Sequence, residues 1–314
     1  MTIVLEDRDV LTDLCGVNDE NLKIIEALLQ ERVFSKGNEL FFLSEDREKQ
    51  EIFRNIIAQL EDHAQTGHHP GPDLIRSIFR TLYDQEDEDP GQLVESIINI
   101  PGYAKVFPKS LHQAQYINAL GQFDIVFGIG PAGTGKTYLA IASALSELLV
   151  KQKAKLILTR PVVEAGENLG FLPGDLTQKI SPYLRPLYDA IDSFIPYELE
   201  HKLEDTRIIE IAPLAYMRGR SLQNSIIILD EAQNTTKAQM KMFLTRIGKG
   251  SKAIITGDVT QVDLPKKSQS GLIHAEAILR GIDGINFTFF DGQDVIRNHL
   301  IKKIIEAYEK EEKQ

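Results

Sequence analysis

Residues 130–137 have the sequence Gly130-Pro-Ala-Gly-Thr-Gly-Lys-Thr137, a full match to the pattern G-x-x-x-x-G-K-[ST]. A short apolar run, Asp124-Ile-Val-Phe127, precedes this stretch, and a helix-forming segment at 138–149 follows it directly. Strand, glycine-rich loop and helix in this order form the context that a phosphate-binding loop (P-loop) requires. The glycines let backbone N–H groups turn toward an anion, and the helix N-terminus adds its positive dipole end. A glycine-rich turn without a ligand would explain the glycines but not the Lys-Thr pair.

Every residue of this loop is a candidate for nucleotide binding. The candidates are Gly130, Pro131, Ala132, Gly133, Thr134, Gly135, Lys136 and Thr137. Lys136 should reach the β- and γ-phosphates and take part in catalysis, and the Thr137 hydroxyl should bind Mg²⁺. The loop therefore predicts a nucleoside triphosphate with Mg²⁺ as its ligands.

A pair of acids follows a second apolar run. Ser225-Ile-Ile-Ile-Leu229 leads directly into Asp230 and Glu231, 93 residues after Thr137. We expect this strand to lie beside the strand of the P-loop, with Asp230 in the Mg²⁺ shell. Glu231 should then face the γ-phosphate, where it orients or deprotonates the attacking water. The alternative is that the two acids only cap a helix N-terminus.

A third polar motif, Thr256-Gly-Asp-Val-Thr-Gln-Val-Asp263, also follows an apolar run. The carboxyl ends of parallel strands meet at one edge of a sheet, so all three motifs should lie together. Gln261 is then placed to sense whether a γ-phosphate is present. Taken alone, Gly257 and Asp258 indicate no more than a turn.

From residue 109 onward, short apolar runs alternate with helical segments. The predicted strands are residues 124–127, 155–158, 207–211, 225–229, 253–256 and 286–290. Nearly continuous β-branched and apolar runs are typical of strands covered on both faces. The expected fold class is α/β, a P-loop core with a doubly wound parallel sheet flanked by helices.

The first 83 residues have a different pattern, which predicts a small α+β domain. The predicted order is helix, strand, strand, helix and helix. Apolar residues at helical spacing over 22–29 and from Ile52 onward indicate helices, and the turn Lys36-Gly37-Asn38 between two apolar runs indicates the pair of strands. The acidic run Asp84-Gln-Glu-Asp-Glu-Asp89, followed by Pro90-Gly91, predicts an exposed boundary. The expected domains are residues 1–83, a linker and connecting segment at 84–108, and the P-loop domain at 109–314.

The composition and charge limit the class of protein. The chain has 314 residues, 42% hydrophobic and 26% charged, which is ordinary for a soluble globular protein. Its net charge of −11 divides unevenly, with −13 in residues 1–100 and +2 in the rest. This distribution disfavours a basic DNA-coating protein but permits an anionic partner for the C-terminal part. A single cysteine, Cys15, excludes an intramolecular disulfide, and no apolar run approaches a membrane span. We therefore expect a cytoplasmic protein without membrane association.

The motifs together resemble the PhoH family of bacterial ATPases over roughly residues 100–310. The stretches that carry the likeness are residues 127–138, 159–175, 217–222, 228–235 and 256–265. The resemblance implies a RecA-like core, similar to the first motor domain of superfamily-one helicases, that binds and hydrolyses ATP with Mg²⁺. It also places Gln113 where the family has an adenine-reading glutamine, although His112 stands where an asparagine is usual.

The N-terminal residues resemble the KH-like domain of longer PhoH proteins. The similar stretches are residues 14–26 and 32–41, and in a KH fold a glycine loop and a helix N-terminus clamp a nucleic-acid backbone. Here Gly16-Val-Asn-Asp19 lacks the second glycine of G-x-x-G, and the domain is acidic. Binding of RNA and binding of a protein both stay open for this domain.

A helicase motor closes two RecA-like domains on its nucleotide, whereas this sequence has one. The arginine that stabilises the transition state is therefore expected from a neighbouring subunit of a homo-oligomer, a hexameric ring. The candidates are Arg218, Arg220, Arg246 and Arg297. Residues 168–175 and 182–186, with Arg160 and Arg185 nearby, are candidates for pore or RNA-facing loops, and equally for a subunit interface.

The leading interpretation is an ATPase that acts on RNA as a motor or remodelling enzyme, with Lys136, Asp230 and Glu231 as its catalytic residues. The alternative is a nucleotide-gated adaptor whose acidic N-terminal domain recruits a partner such as an RNA-processing nuclease. A kinase is disfavoured, because the Asp-Glu pair and Gln261 suit water activation and sensing.

Overall fold

The computed structural model describes residues 1–5, 7–65, 70–83, 96–161 and 176–295. The chain forms two compact units: residues 1–97 with 107–115, and residues 98–106 with 116–314. The acidic run Asp84 to Asp89 in the predicted linker lies outside the described residues. The end of that segment contains an antiparallel hairpin, β4 (Ile98–Ile100) and β5 (Ala104–Val106), which belongs to the second unit.

The first unit packs helices against a small antiparallel sheet of order β1-β3-β2. Its strands are β1 (Thr2–Val4), β2 (Arg32–Lys36) and β3 (Glu39–Leu43), and its helices are α1 (Arg8–Cys15), α2 (Glu20–Leu29), α3 (Arg47–Gln65) and α4 (Pro72–Tyr83). The predicted hairpin forms, with Gly37 at its turn in the left-handed region (φ 70°). The structure adds β1 and α1 to the predicted order. The likeness to a KH domain stays a prediction, since helices on an antiparallel sheet occur in many α+β folds.

The second unit is built on a parallel sheet of six strands in the order β11-β6-β10-β9-β7-β8. The strands are β6 (Ile125–Ile129), β7 (Lys155–Arg160), β8 (Ile209–Pro213), β9 (Ser225–Leu229), β10 (Lys252–Gly257) and β11 (Ile285–Phe289). Each of the six predicted runs forms one of these strands, and all their pairings are parallel. The predicted α/β class with a parallel sheet is confirmed, consistent with a P-loop NTPase core.

One detail of the predicted sheet is wrong. The strand that ends in the acid pair, β9, does not lie beside the P-loop strand β6, because β10 lies between them and pairs with both. Strand adjacency depends on where the connecting helices cross the sheet, and no local pattern in β9 records that choice.

Helices cover both faces of this sheet. They are α5 (Leu111–Gln122), of which residues 116–122 belong to this unit, α6 (Lys136–Leu149), α7 (Leu176–Asp192), α8 (Tyr197–Asp205), α9 (Lys237–Leu244) and α10 (Gly271–Leu279). Ile226 and Ile228 of β9 belong to the core under α6 and α7, whereas Ile227 and Leu229 belong to the core under α9 and α10. Side chains alternate along a strand, so the uninterrupted apolar run of β9 is explained by burial on both faces. Among the described helices, none has the length and apolarity to cross a membrane.

Candidate nucleotide site

The P-loop connects β6 to α6 at the carboxyl edge of the sheet. Gly133 and Gly135 have φ angles of 84° and 83°, a left-handed conformation that glycine adopts without steric cost. Gly135 is also the N-cap of α6, so the loop ends where the helix presents its first free N–H groups. The predicted strand, loop and helix are therefore all present at this motif.

Lys136, the first residue of α6, lies buried under the loop. Its ammonium donates hydrogen bonds to the carbonyl oxygens of Gly130 (2.7 Å) and Pro131 (2.6 Å) and to the Thr134 hydroxyl (3.1 Å). Burial lowers the pKa of Lys136, and the nearby carboxylates, Asp258 first among them, act in the opposite direction. The cation is thus held at the loop and faces a group of acids.

The two acids that follow β9 contact different residues: Asp230 bonds to threonine hydroxyls, and Glu231 bonds to Arg160 and Gln233. Asp230 is buried, and its Oδ1 accepts hydrogen bonds from the hydroxyls of Thr137 (2.7 Å) and Thr256 (2.8 Å). Thr256, the last residue but one of β10, was part of the third motif, but no role was predicted for its hydroxyl. The insertion of β10 between β6 and β9 is what brings this hydroxyl to Asp230.

Glu231 has a left-handed backbone (φ 52°, ψ 39°), which is uncommon for a residue with a side chain and frequent at functional sites. Its Oε1 forms an ion pair with Nη2 of Arg160 at 2.9 Å, and its Oε2 accepts a hydrogen bond from the amide of Gln233. Arg160 also donates to the carbonyl oxygen of Tyr183 on α7 (3.3 Å). The sequence predicted an RNA-facing or interface position for Arg160 and no contact with Glu231. The predicted loop at 182–186 is wrong, because these residues lie inside α7, and residues 168–175 lie outside the described residues.

Gln233 and Asn234 connect the acid pair to the third motif. The Gln233 side-chain oxygen accepts a hydrogen bond from the backbone N–H of Asp258 (2.9 Å), and Asn234 exchanges two hydrogen bonds with Asp263 (2.8 and 2.9 Å). Asp258 Oδ1 accepts from the backbone and hydroxyl of Thr260, whereas its buried Oδ2 has no partner within the described residues. Gln233 is fully buried, and sequence reasoning missed its role because a glutamine after Asp-Glu carries no distinctive signal of its own.

A pocket of about 260 Å³ brings the three motifs together. The predicted site residues that line it are Ala132, Gly133, Gly135, Lys136, Thr137, Asp230, Glu231 and Gln261. Three further lining residues, Tyr138, Gly257 and Asp258, were not predicted as site residues. Gly130, Pro131 and Thr134 do not line the pocket and instead hold the Lys136 ammonium.

Gln113, the predicted adenine reader, belongs to the first unit. It is buried, and its side-chain oxygen accepts a hydrogen bond from the backbone N–H of Lys109 (2.7 Å). One function of this amide is therefore to close the turn that begins α5. A role in adenine recognition stays a prediction.

The candidate interface arginines differ in their surroundings. Arg220 forms a fork with Glu210 (Nη2 to Oε2 2.8 Å), and this hydrogen bond lowers the pKa of Glu210 and raises that of Arg220. Arg246 donates to the carbonyl oxygen of Arg220 (3.4 Å), and Arg218 is exposed. Arg297 lies outside the described residues. Arg218 is thus the described candidate whose exposure suits a contact with another subunit.

Known proteins resemble this chain along most of its length. The family model described as PhoH-like protein matches residues 105–309. The PhoH-like protein of Mycobacterium leprae is 47% identical over 300 residues, 96% of this chain and 86% of that protein. The PhoH-like protein of Bacillus subtilis is 46% identical over 308 residues, 98% and 96% of the two chains. Protein PhoH of Escherichia coli is 43% identical over 248 residues, 75% and 69% of the two chains. These matches confirm the family resemblance of the motifs, and the chain belongs to the PhoH family.

Proposed function

We propose that this protein is an Mg²⁺-dependent ATPase that acts on RNA. The observation that carries the proposal is the convergence of Lys136, Thr137, Asp230 and Glu231 on one pocket. A lysine and backbone N–H groups suit phosphates, and a second carboxylate beside them suits water activation. A site that only bound nucleotide would have no need of Glu231.

The residues in this pocket fit both ligands. The Thr137 hydroxyl and the Asp230 carboxylate lie 2.7 Å apart, and such oxygen donors are the ligands that Mg²⁺ prefers. When bound, Mg²⁺ would neutralise charge on the β- and γ-phosphates. The P-loop N–H groups and Lys136 bind and orient the phosphates, and Glu231 accepts a proton from the attacking water or orients it.

Two features support a role with RNA in a homo-oligomer. Residues 101–314 carry a net charge of +2 and residues 1–100 a net charge of −13, so an RNA backbone meets less repulsion in the second part. The described chain also contains one P-loop core, and the exposed Arg218 can complete a neighbour's site in a ring. The alternative function, a nucleotide-gated adaptor for an RNA-processing protein, is favoured by the acidity of the N-terminal residues.

The decisive variant is Glu231→Gln, which removes the proton acceptor and keeps the size of the side chain. We expect ATP affinity at least equal to that of the unmodified chain and at least roughly 100-fold slower hydrolysis. The matched control is Glu276→Gln, because Glu276 is also paired with an arginine (Arg280, 3.0 Å) but lies outside the pocket. Normal turnover in Glu231→Gln would contradict the hydrolytic assignment.

A second experiment separates motor from adaptor. ATP hydrolysis is measured against single- and double-stranded RNA and DNA, with the oligomeric state determined by sedimentation in the same buffer. Hydrolysis that RNA stimulates in a ring-sized species supports the motor. A monomer with full activity would contradict the ring, and nucleotide-dependent protein binding without any RNA response would favour the adaptor.

A further inference from the structure

We propose that Arg160 makes the site prefer nucleoside triphosphates to diphosphates, by neutralising the carboxylate of Glu231. The inference rests on the proposed function, since it takes the terminal phosphate of ATP to lie near Glu231. It adds to that function a residue outside all three motifs, for which the sequence predicted an RNA-facing or interface position and no role at the nucleotide.

The geometry gives Glu231 a counter-ion on one side and a neutral donor on the other. Arg160 ends β7, and its Nη2 lies 2.9 Å from Glu231 Oε1, while Gln233 donates to Oε2. The Arg160 side chain is 22% exposed and that of Glu231 33%, so solvent screens this pair only in part. The guanidinium is also held by the carbonyl oxygen of Tyr183, which fixes its position.

The charges in the pocket explain why this pairing matters. Among the described residues that line the pocket, Asp230, Glu231 and Asp258 stand together with one lysine, Lys136. The proposed Mg²⁺ would offset Asp230, and Lys136 would be engaged by phosphate. The described contacts then leave Arg160 as the cation that offsets Glu231. An unpaired carboxylate there would repel a terminal phosphate carrying up to two negative charges.

The repulsion falls on ATP more than on ADP, because ADP lacks the phosphate that faces Glu231. Arg160 therefore acts through Glu231 as a positioning residue and does not need to touch the nucleotide. Its described donors are directed to Glu231 and Tyr183, and it does not line the pocket. Direct contact between Arg160 and the phosphate is the competing explanation, which a double-mutant cycle distinguishes.

The test measures binding and needs no turnover. Affinities for ADP and for a non-hydrolysable ATP analogue, both with Mg²⁺, are determined by calorimetry for the full chain. In Arg160→Met we expect roughly tenfold weaker binding of the ATP analogue and less than about twofold weaker binding of ADP. The double variant Arg160→Met/Glu231→Gln should bind both ligands within about twofold of the unmodified chain, because the carboxylate is removed together with the cation that neutralises it.

The conservative variant and a control complete the design. Arg160→Lys keeps the charge, so the ratio of the two affinities should stay within about twofold of the original. Arg280→Met removes the arginine of the surface pair with Glu276 and should leave both affinities unchanged. If Arg160→Met does not fold, Arg160→Gln carries the same test, because it also removes the charge.

Two results would overturn the inference while leaving the ATPase proposal intact. One is an equal loss of ADP and ATP-analogue affinity in Arg160→Met. The other is weaker binding of the ATP analogue by the double variant Arg160→Met/Glu231→Gln than by the unmodified chain, which would mean that Arg160 contacts the phosphate itself. An unmodified chain that binds no ATP analogue would instead refute the proposed function.

Discussion

The hydroxyl of Thr137 and the Oδ1 atom of Asp230 lie 2.7 Å apart, although 93 residues separate them in the chain. This hydrogen bond joins the first turn of α6 to the end of β9, across the intervening strand β10. Thr256 of β10 donates to the same oxygen at 2.8 Å. Three elements thus bring oxygen atoms together at the edge of the pocket, and such oxygen atoms are the ligands that Mg²⁺ prefers.

Asp230→Asn tests this oxygen cluster. Mg²⁺ should raise the ATP affinity of the unmodified chain by roughly tenfold or more. We expect the variant to lose most of this gain, because a neutral amide is a weaker ligand for a hard cation. This gain is measured by calorimetric titration of the protein with ATP, once in the presence of MgCl₂ and once in the presence of EDTA. The control is Asp283→Asn, an exposed acid outside the pocket, and a full response to Mg²⁺ in Asp230→Asn would remove the metal assignment.

Lys136→Met should weaken ATP binding by roughly 10- to 100-fold, because a charge-assisted contact with phosphate is lost. Fluorescence titration with a labelled ATP measures the change. The matched control is Lys153→Met. The Lys153 ammonium also donates to a carbonyl oxygen, that of Gly250 (2.7 Å), but it lies outside the pocket. Equal affinities for both variants would show that Lys136 only stabilises the loop.

Gly130→Ala should damage the fold at the start of the P-loop. A Cβ atom there would stand 2.4 Å from the carbonyl oxygen of Phe290, and the backbone has φ 154°. We expect a loss of about 2–4 kcal/mol in the free energy of unfolding, measured by urea denaturation. Gly121→Ala is the control, because Gly121 lies in α5 with open space around it. That change should raise the free energy of unfolding by up to about 1 kcal/mol.

Gln233→Leu should break the hydrogen bonds that connect Glu231 to the third motif. The change leaves the Asp258 N–H without its acceptor and Glu231 without a donor on Oε2, so we expect roughly tenfold slower turnover and a stability loss of about 1–3 kcal/mol. The control is Gln239→Ala, which breaks the capping box of α9 and costs about 1 kcal/mol. The folded molecules of Gln239→Ala should hydrolyse ATP at the rate of the unmodified chain. Slower turnover in both variants would indicate a general effect of stability.

Glu200 predicts a pH dependence of stability. It is buried in α8, and burial, with a hydrogen bond to Asp192 and the nearby charge of Glu204, raises its pKa to about 7. The folded state therefore binds a proton that the unfolded state releases above about pH 4.5, so the contribution of Glu200 to stability is fully present below that pH and is lost as the pH rises toward 7. Glu200→Gln should remove most of this fall, roughly 2 kcal/mol, in thermal denaturation across pH 4.5–8. Glu198→Gln, an exposed acid in the same helix, should retain it.

Much of the pocket is predictable from local patterns. The P-loop, the acid pair and Gln261 each follow an apolar run, and parallel strands bring their carboxyl ends to one edge. That geometric rule depends only on the strands being parallel, so it holds even though the predicted neighbour of β6 was wrong. The same rule brings Arg160, at the end of β7, to this edge, but it does not select Glu231 as its partner, because that contact depends on β7 lying next to β9.

The sequence by itself determined the parallel α/β core, the position of the P-loop and the acid pair Asp230 and Glu231. These features depend on periodicity and on residues adjacent in the chain. Tertiary structure alone established the strand order, the hydrogen bonds of Thr256 to Asp230 and of Gln233 to Asp258, and the pairing of Arg160 with Glu231. Such contacts join residues from different strands, and the packing of helices on the sheet selects which strands become neighbours.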